Sequence, residues 1–119
     1  MALQSYKDLE VWKKSIGLVS AVYKLSKQLP SAERFGLSSQ MQRAAVSIPS
    51  NIAEGYARKG TGEYIQFLSI AFGSAAELET QLIISAQQYP NLDISNTAAV
   101  LTEVQKMLYV LMKKLNPKP

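Results

Sequence analysis

The chain has no cysteine and no histidine among its 119 residues. Without thiols it can build no disulfide framework, no thiolate metal site and no cysteine nucleophile. Without imidazole it has no Ser-His-Asp relay and no His-containing zinc or di-iron centre. No cofactor is expected, and any catalysis would have to run on Glu, Lys, Tyr or a borrowed cofactor. The lack of cysteine fits a cytoplasmic protein. Long hydrophobic runs are also missing: the longest uncharged apolar-rich stretch, Tyr64 to Ala76, falls short of the roughly 20 residues that span a bilayer. Lys13-Lys14 followed by the apolar-rich run Ser15 to Tyr23 mimics a secretory signal. Charges of both signs precede it, and Lys24 and Lys27 follow without a small-residue cleavage site, so it reads as an amphipathic helix. No membrane partner is expected.

No segment alternates as a strand does, and there is no internal repeat, low-complexity tract or linker. The length suits one domain spanning residues 1 to 119. What is present is helical periodicity. From Asp8 to about Gln28, Leu9, Trp12, Ile16, Val19 and Tyr23 make one stripe, and Val11, Leu18, Val22, Leu25 and Leu29 make another about a third of a turn away. Two stripes call for burial on two sides. Leu29-Pro30-Ser31 ends that helix, because proline disfavours helical geometry in the residue before it.

The second helix runs from Leu37 or Ser38 to Arg58. At about 100° per residue, Met41, Ala45, Ile48, Ile52 and Tyr56 line one side, and Arg43, Ser47, Ser50, Asn51, Glu54 and Arg58 the other. The polar side mixes its charges with short hydrogen-bonding groups that allow close approach. Periodicity alone supports equally a second contact surface and a bent core helix with a solvated face. Pro49, inside the pattern, removes the bond to the Ala45 carbonyl and should bend the helix.

Lys59-Gly60-Thr61-Gly62 breaks the chain, with Thr61 as the expected N-cap and Glu63 favourable in the first turn. The third helix, Gly62 to about Gln88, is apolar over most of its circumference and should be the most buried. Its remaining side holds Gln66, Ser69, Gly73, Ser74, Glu77, Thr80 and Gln81, interrupted by Ile70 and Ile84, and could pack closely on the polar face of the second helix. Glu79 falls among Leu68, Phe72 and Ile83, so a hydrogen-bond partner or cation is expected for it. Tyr89-Pro90-Asn91 breaks this helix. Asp93 or Ser95 caps a last one striped by Leu101, Val104, Leu108, Leu111, Met112 and Leu115, and Asn116-Pro117-Lys118-Pro119 reads as a frayed end. Four long helices with short turns predict an all-α, antiparallel up-down-up-down four-helix bundle.

The formal charge is +4. Residues 1 to 60 hold nine Lys/Arg and four Asp/Glu, against four and five in residues 61 to 119, so the basic part is the first half. That balance favours an anionic partner, most often nucleic acid, with a solvated basic face as the plain alternative. Arg43 and Arg58, supported by Lys59, Lys13, Lys24 and Lys27, are the candidate phosphate contacts. The competing reading pairs Arg43 with Glu54, Glu77 or Glu79 to order an interface; Ser47, Pro49 and Asn51 belong to the same interface or structural set. Gly55, Gly60 and Gly62 match no phosphate loop. Glu54, Glu77, Glu79 and Glu103 could gather as a carboxylate cluster, but di-iron sites also draw on Glu-x-x-His pairs that this composition excludes, so an enzyme is disfavoured.

Three stretches carry a resemblance: Tyr6-Lys7-Asp8-Leu9-Glu10-Val11-Trp12, the run from Gln40 to Gly55, and Phe67 to Leu82. They resemble the four-helix-bundle proteins encoded within intervening sequences of bacterial 23S ribosomal RNA genes and, more loosely, the accessory protein of diversity-generating retroelements. The resemblance implies a bundle assembled as a homopentamer, with basic surfaces meeting nucleic acid and no known reaction. Gln42 stands where members often have a second arginine. The expectation is a non-enzymatic, oligomeric RNA-binding protein. The alternative is a protein-interaction adaptor, for instance for a reverse transcriptase or a ribosome-associated factor.

Overall fold

The structure is a computed structural model and describes residues 5–116. Four helices account for most of it: α1 (Glu10–Ser26), α2 (Leu37–Tyr56), α3 (Thr61–Gln88) and α4 (Ser95–Leu115). Short 3-10 turns, Tyr6–Asp8 and Ser31–Glu33, precede α1 and α2. Each helix packs on two others, α1 on α2 and α4, and α3 on α2 and α4, while the α1/α3 and α2/α4 backbones do not come within 8 Å. That ring is the predicted up-down-up-down bundle, 44 Å along its longest axis. Its core is one cluster in which Leu18, Val22, Met41, Ile48, Ile52, Leu68, Leu78, Leu82, Leu101, Val104 and Leu108 are almost completely buried.

The two predicted stripes of α1 meet different fates. Val11, Leu18, Val22, Leu25 and Leu29 are buried, whereas Ile16 and Tyr23 of the other stripe stay 41 % exposed. Ser15 takes the buried slot between Val11 and Leu18, and its hydroxyl donates to the Trp12 carbonyl at 2.8 Å. Tyr6 and Trp12, the two ends of the first family-like stretch, stack edge to face at 5.4 Å.

α3 is not the most buried helix; α2 has the larger share of buried residues. A helix in a four-membered ring is covered by two neighbours, so one that is apolar nearly all round must leave some of that surface outside. Ile70, Phe72, Ile83 and Ile84 are the residues left, 36–51 % exposed. By length and composition α3 would suffice to cross a membrane, with a window hydropathy of 1.3, although Tyr64 to Ala76 alone is too short; here it lies against α2 and α4. Gln81, expected on its polar side, is buried, and its amide oxygen has no partner.

Two helix starts also differ from expectation. Gly60 rather than Thr61 is the α3 N-cap, and no side chain caps that end. At α4 the cap position is Ile94, and Asp93 Oδ1 accepts from the Ser95 backbone N–H at 3.0 Å and from its hydroxyl at 2.7 Å. Those two bonds hold the Asp93 carboxyl below its ordinary pKa. The last predicted frayed residues, 117 to 119, lie outside the described residues.

Candidate nucleic-acid interface

The polar side of α2 divides into an inner and an outer part. Ser47 and Ser74, on α2 and α3, share a hydrogen bond of 2.8 Å. Asn51 Nδ2 donates to the Ser47 carbonyl at 2.8 Å and to its hydroxyl at 3.0 Å. The short side chains are thus used within one chain, to bring α2 against α3. The approach is close at Gly55, where an added Cβ would stand 2.8 Å from Phe67 Cβ and 3.2 Å from the Tyr64 carbonyl oxygen. Only a residue without Cβ lets the end of α2 meet the start of α3 there. Pro49 is buried, and α2 runs unbroken through it.

The outer part holds Arg43, and Arg58 follows just past it, because α2 ends at Tyr56 and not at Arg58 as expected. Arg58 Nη2 is 2.8 Å from Glu54 Oε2, one helical turn back, and its guanidinium lies 4.8 Å from the Phe67 ring centroid. Arg58, not Arg43, is therefore the arginine that pairs with Glu54. Arg43 is exposed and has no carboxylate within 4.0 Å among the described residues. It opens into a hollow between α1 and α2 shared with Tyr23, Ser39 and Val46. Arg43 and Arg58 are roughly 20 Å apart along the helix axis, too far to form one phosphate site.

The remaining candidates scatter. Lys13 Nζ lies 3.6 Å from Glu10 on its own helix, and Lys14 reaches Glu103 on α4 at 2.9 Å. Lys24 and Lys59 are exposed and lack a carboxylate partner among the described residues. Lys24 borders a hollow between α1 and α4 with Lys13, Gly17 and Asn96.

The carboxylates do not gather. Glu79, expected among apolar neighbours, is exposed because Phe72 and Ile83 beside it are exposed too; its contact is a long one, 3.4 Å, from Gln105 Nε2. Glu77 is exposed on the same helix. Among the described residues no three acidic side chains are placed to hold a metal ion.

Two polar residues that tie elements together, Gln42 and Glu33, escaped the sequence reading. Gln42 donates from Nε2 to Ser26 Oγ at 2.9 Å, and Ser38 donates to the Ser26 carbonyl at 3.3 Å. Gln42 thus ties α2 to α1 rather than facing a phosphate. Glu33 stands in for the missing side-chain cap of α2: its Oε1 accepts from the Leu37 N–H at 3.2 Å and its Oε2 from the Tyr89 hydroxyl at 2.6 Å. The Tyr89 bond, then the Leu37 bond, lower the Glu33 pKa, and the same bond raises that of Tyr89. The signal available was a glutamate one turn ahead of a helix whose cap position is glycine.

A solved structure of similar fold is that of a protein of unknown function from the S23 ribosomal protein family of Bacteroides thetaiotaomicron VPI-5482. It superposes with a TM-score of 0.78 at 25 % identity, over 87 % of this chain and 98 % of that one. No functionally curated protein matches the chain. The sequence model for the 23S rRNA-intervening sequence protein matches residues 7–111. With nearly the whole bundle covered by that match, the chain belongs to the 23S rRNA-intervening sequence protein family.

Proposed function

We propose that this protein is a non-enzymatic, homo-oligomeric nucleic-acid-binding bundle that acts on RNA in the cytoplasm. The observation that carries the reading is that Arg43 and Lys24 are both open. Arg43 lines the hollow between α1 and α2, Lys24 lines the one between α1 and α4, and no carboxylate among the described residues neutralises either cation. Unpaired surface cations beside hollows attract phosphates over distances set by salt. The oligomer rests on the exposed apolar residues of α3, Ile70, Ile83 and Ile84. A pentamer is what the family resemblance implies. Ser47 of α2 and Ser74 of α3 meet inside one chain, so these two residues lend the oligomer no support.

Two measurements test this. Light scattering after size exclusion should give a multiple of the 13.1 kDa chain; a monomer at micromolar concentration contradicts it. RNA binding should weaken as salt rises, the logarithm of the constant falling by about 0.7 per single-strand phosphate contacted for each logarithmic unit of salt. Binding to protein alone, with no such slope, would favour the adaptor reading, for which the same exposed apolar residues of α3 are the argument.

A further inference from the structure

Positive charge in this bundle follows the helices and not the halves of the sequence. α1 and α4 are neighbours in the ring, and together they hold six lysines, at 13, 14, 24, 106, 113 and 114, against two glutamates, Glu10 and Glu103. α2 is balanced, with Arg43 and Glu54, and α3 has Glu63, Glu77 and Glu79 and no cation. α4 lies in the half of the chain whose summed charge is negative, so counting along the sequence hid its contribution. The positive flank and α3, diagonal to α1, give the bundle a charge polarity that steers an anion towards α1 and α4 and away from α3.

Between α1 and α4 runs a furrow crossed by the Lys14–Glu103 ion pair. On one side of the pair is a hollow of about 330 Å³ floored by Gly17, Ser20 and Ala21 and flanked by Lys13 and Lys24. On the other is a hollow of about 390 Å³ with an apolar floor of Leu9, Met107, Val110 and Leu111, flanked by Lys106 and Lys114 on α4 and by Glu10, which faces Lys13, on α1. Lys106 and Lys114 are exposed and unpaired among the described residues, and Val110 is 50 % exposed. From Asn96 to Lys114 the furrow extends for about 27 Å of α4.

We infer that this furrow is a binding track for a single strand of RNA, its phosphates between the lysine banks and unstacked bases on the apolar floor. The inference rests on the nucleic-acid reading above and gives it a place of which the candidates from sequence marked only Lys13 and Lys24. Two features favour a single strand over a duplex. Packed helix axes lie only about 8–10 Å apart, so the furrow between them accepts one backbone and not the width of a duplex. A duplex also keeps its base faces stacked inside, whereas a single strand can turn them onto Met107 and Val110. The small floor at Gly17, Ser20 and Ala21 leaves the strand room to approach the α1 backbone.

The test uses the full chain and a fluorescein-labelled 12-nucleotide oligouridylate, titrated at several salt concentrations. Lys106→Gln with Lys114→Gln should weaken binding on the order of tenfold at 0.1 M salt and make the salt slope shallower by about 1.4 per subunit. Lys106→Arg with Lys114→Arg should retain binding, and both variants should keep the parent's elution volume and melting temperature. If the Gln variant changes assembly, Lys24→Gln at the other end of the furrow replaces it, with a loss of about half that slope expected. Parent-like binding by the neutral variant, while Arg43→Ala weakens it, would overturn the furrow and leave the nucleic-acid reading standing. No salt-dependent RNA binding by the parent would overturn both. A duplex bound as tightly and losing as much in the Gln variant would overturn the single-strand track. Displacement of the strand by polyglutamate as effectively as by unlabelled RNA would make the furrow a site for acidic protein instead.

Discussion

The Tyr89 hydroxyl, at the end of α3, donates to Glu33 Oε2 at 2.6 Å, while the other oxygen of that carboxylate accepts from the first N–H of α2. One side chain thus satisfies a helix start and joins two corners of the same end of the bundle. A helix begins with donors that have no intrahelical partner, and here a carboxylate from the preceding 3-10 turn meets one of them. A Cβ on Gly36 would stand 2.7 Å from Glu33 Oε1, so the glycine leaves the carboxylate its room.

Tyr89→Phe should therefore lower the melting temperature by a few degrees at neutral pH, and by less in acid. The sign follows from the shifts. Glu33 has a folded pKa below its ordinary value, so its contribution is present above that ordinary value and lost as pH falls through the folded one. Tyr89 has a folded pKa above its ordinary value, so its contribution is complete below that value and lost as pH rises through the folded one. In thermal melts across pH, the gap between parent and variant should narrow as pH falls below the ordinary glutamate range and as it rises above the ordinary tyrosine range. A constant gap across the range would show that the hydroxyl acts through packing alone.

Gly55→Ala pits two effects against each other. Alanine in a helix interior gains up to about 1 kcal/mol over glycine. The new Cβ, however, would lie 2.8 Å from Phe67 Cβ and 3.2 Å from a backbone oxygen, and forcing volume into a packed seam costs about 1–3 kcal/mol. Net destabilisation is expected, read by urea titration. A more stable variant would mean that α2 and α3 separate there without cost.

Pro49→Ala restores a donor for the Ala45 carbonyl and relieves the ring's clash with the preceding turn. Because Pro49 is buried beside Ile48 and Ile52, the change should act through the position of α2 in the bundle. The expected outcome is unchanged helical content by circular dichroism with altered assembly on size exclusion. Parent-like elution would separate Pro49 from assembly.

The helices and the core were legible because their signal is local: a stripe such as Met41, Ala45, Ile48 and Ile52 has one reading, and the structure buries all four. The polar groups were less so, because a serine or arginine has several satisfactory partners and only tertiary packing selects one. Ser47 finds Ser74, and Glu54 finds Arg58 rather than Arg43. Gln42 and Glu33 were hidden for the same reason, their partners lying in other elements. Surface charge was the least legible, since Lys106 and Lys114 join Lys13 and Lys24 only when the antiparallel ring sets α4 beside α1.

Arg43 and Arg58, equivalent in the sequence, should behave differently when removed. Arg58 holds Glu54 and lies over Phe67, contacts worth about 0.3–0.5 kcal/mol for an exposed helical ion pair and about 0.5–1 kcal/mol for an exposed cation over a ring. Arg58→Ala should then cost stability of about 1 kcal/mol, with a small effect on RNA affinity because that charge is already balanced. Arg43 touches no carboxylate among the described residues, so Arg43→Ala should leave the melting temperature within a degree or so of the parent. Its effect belongs to binding: a salt slope shallower by about 0.7 and weaker affinity for RNA of any sequence. Chemical denaturation and fluorescence anisotropy on both variants separate the two roles. Should Arg43→Ala unfold early or break the oligomer while the salt slope stays unchanged, Arg43 is an interface residue, and the case for the α1–α2 hollow as an RNA contact ends there.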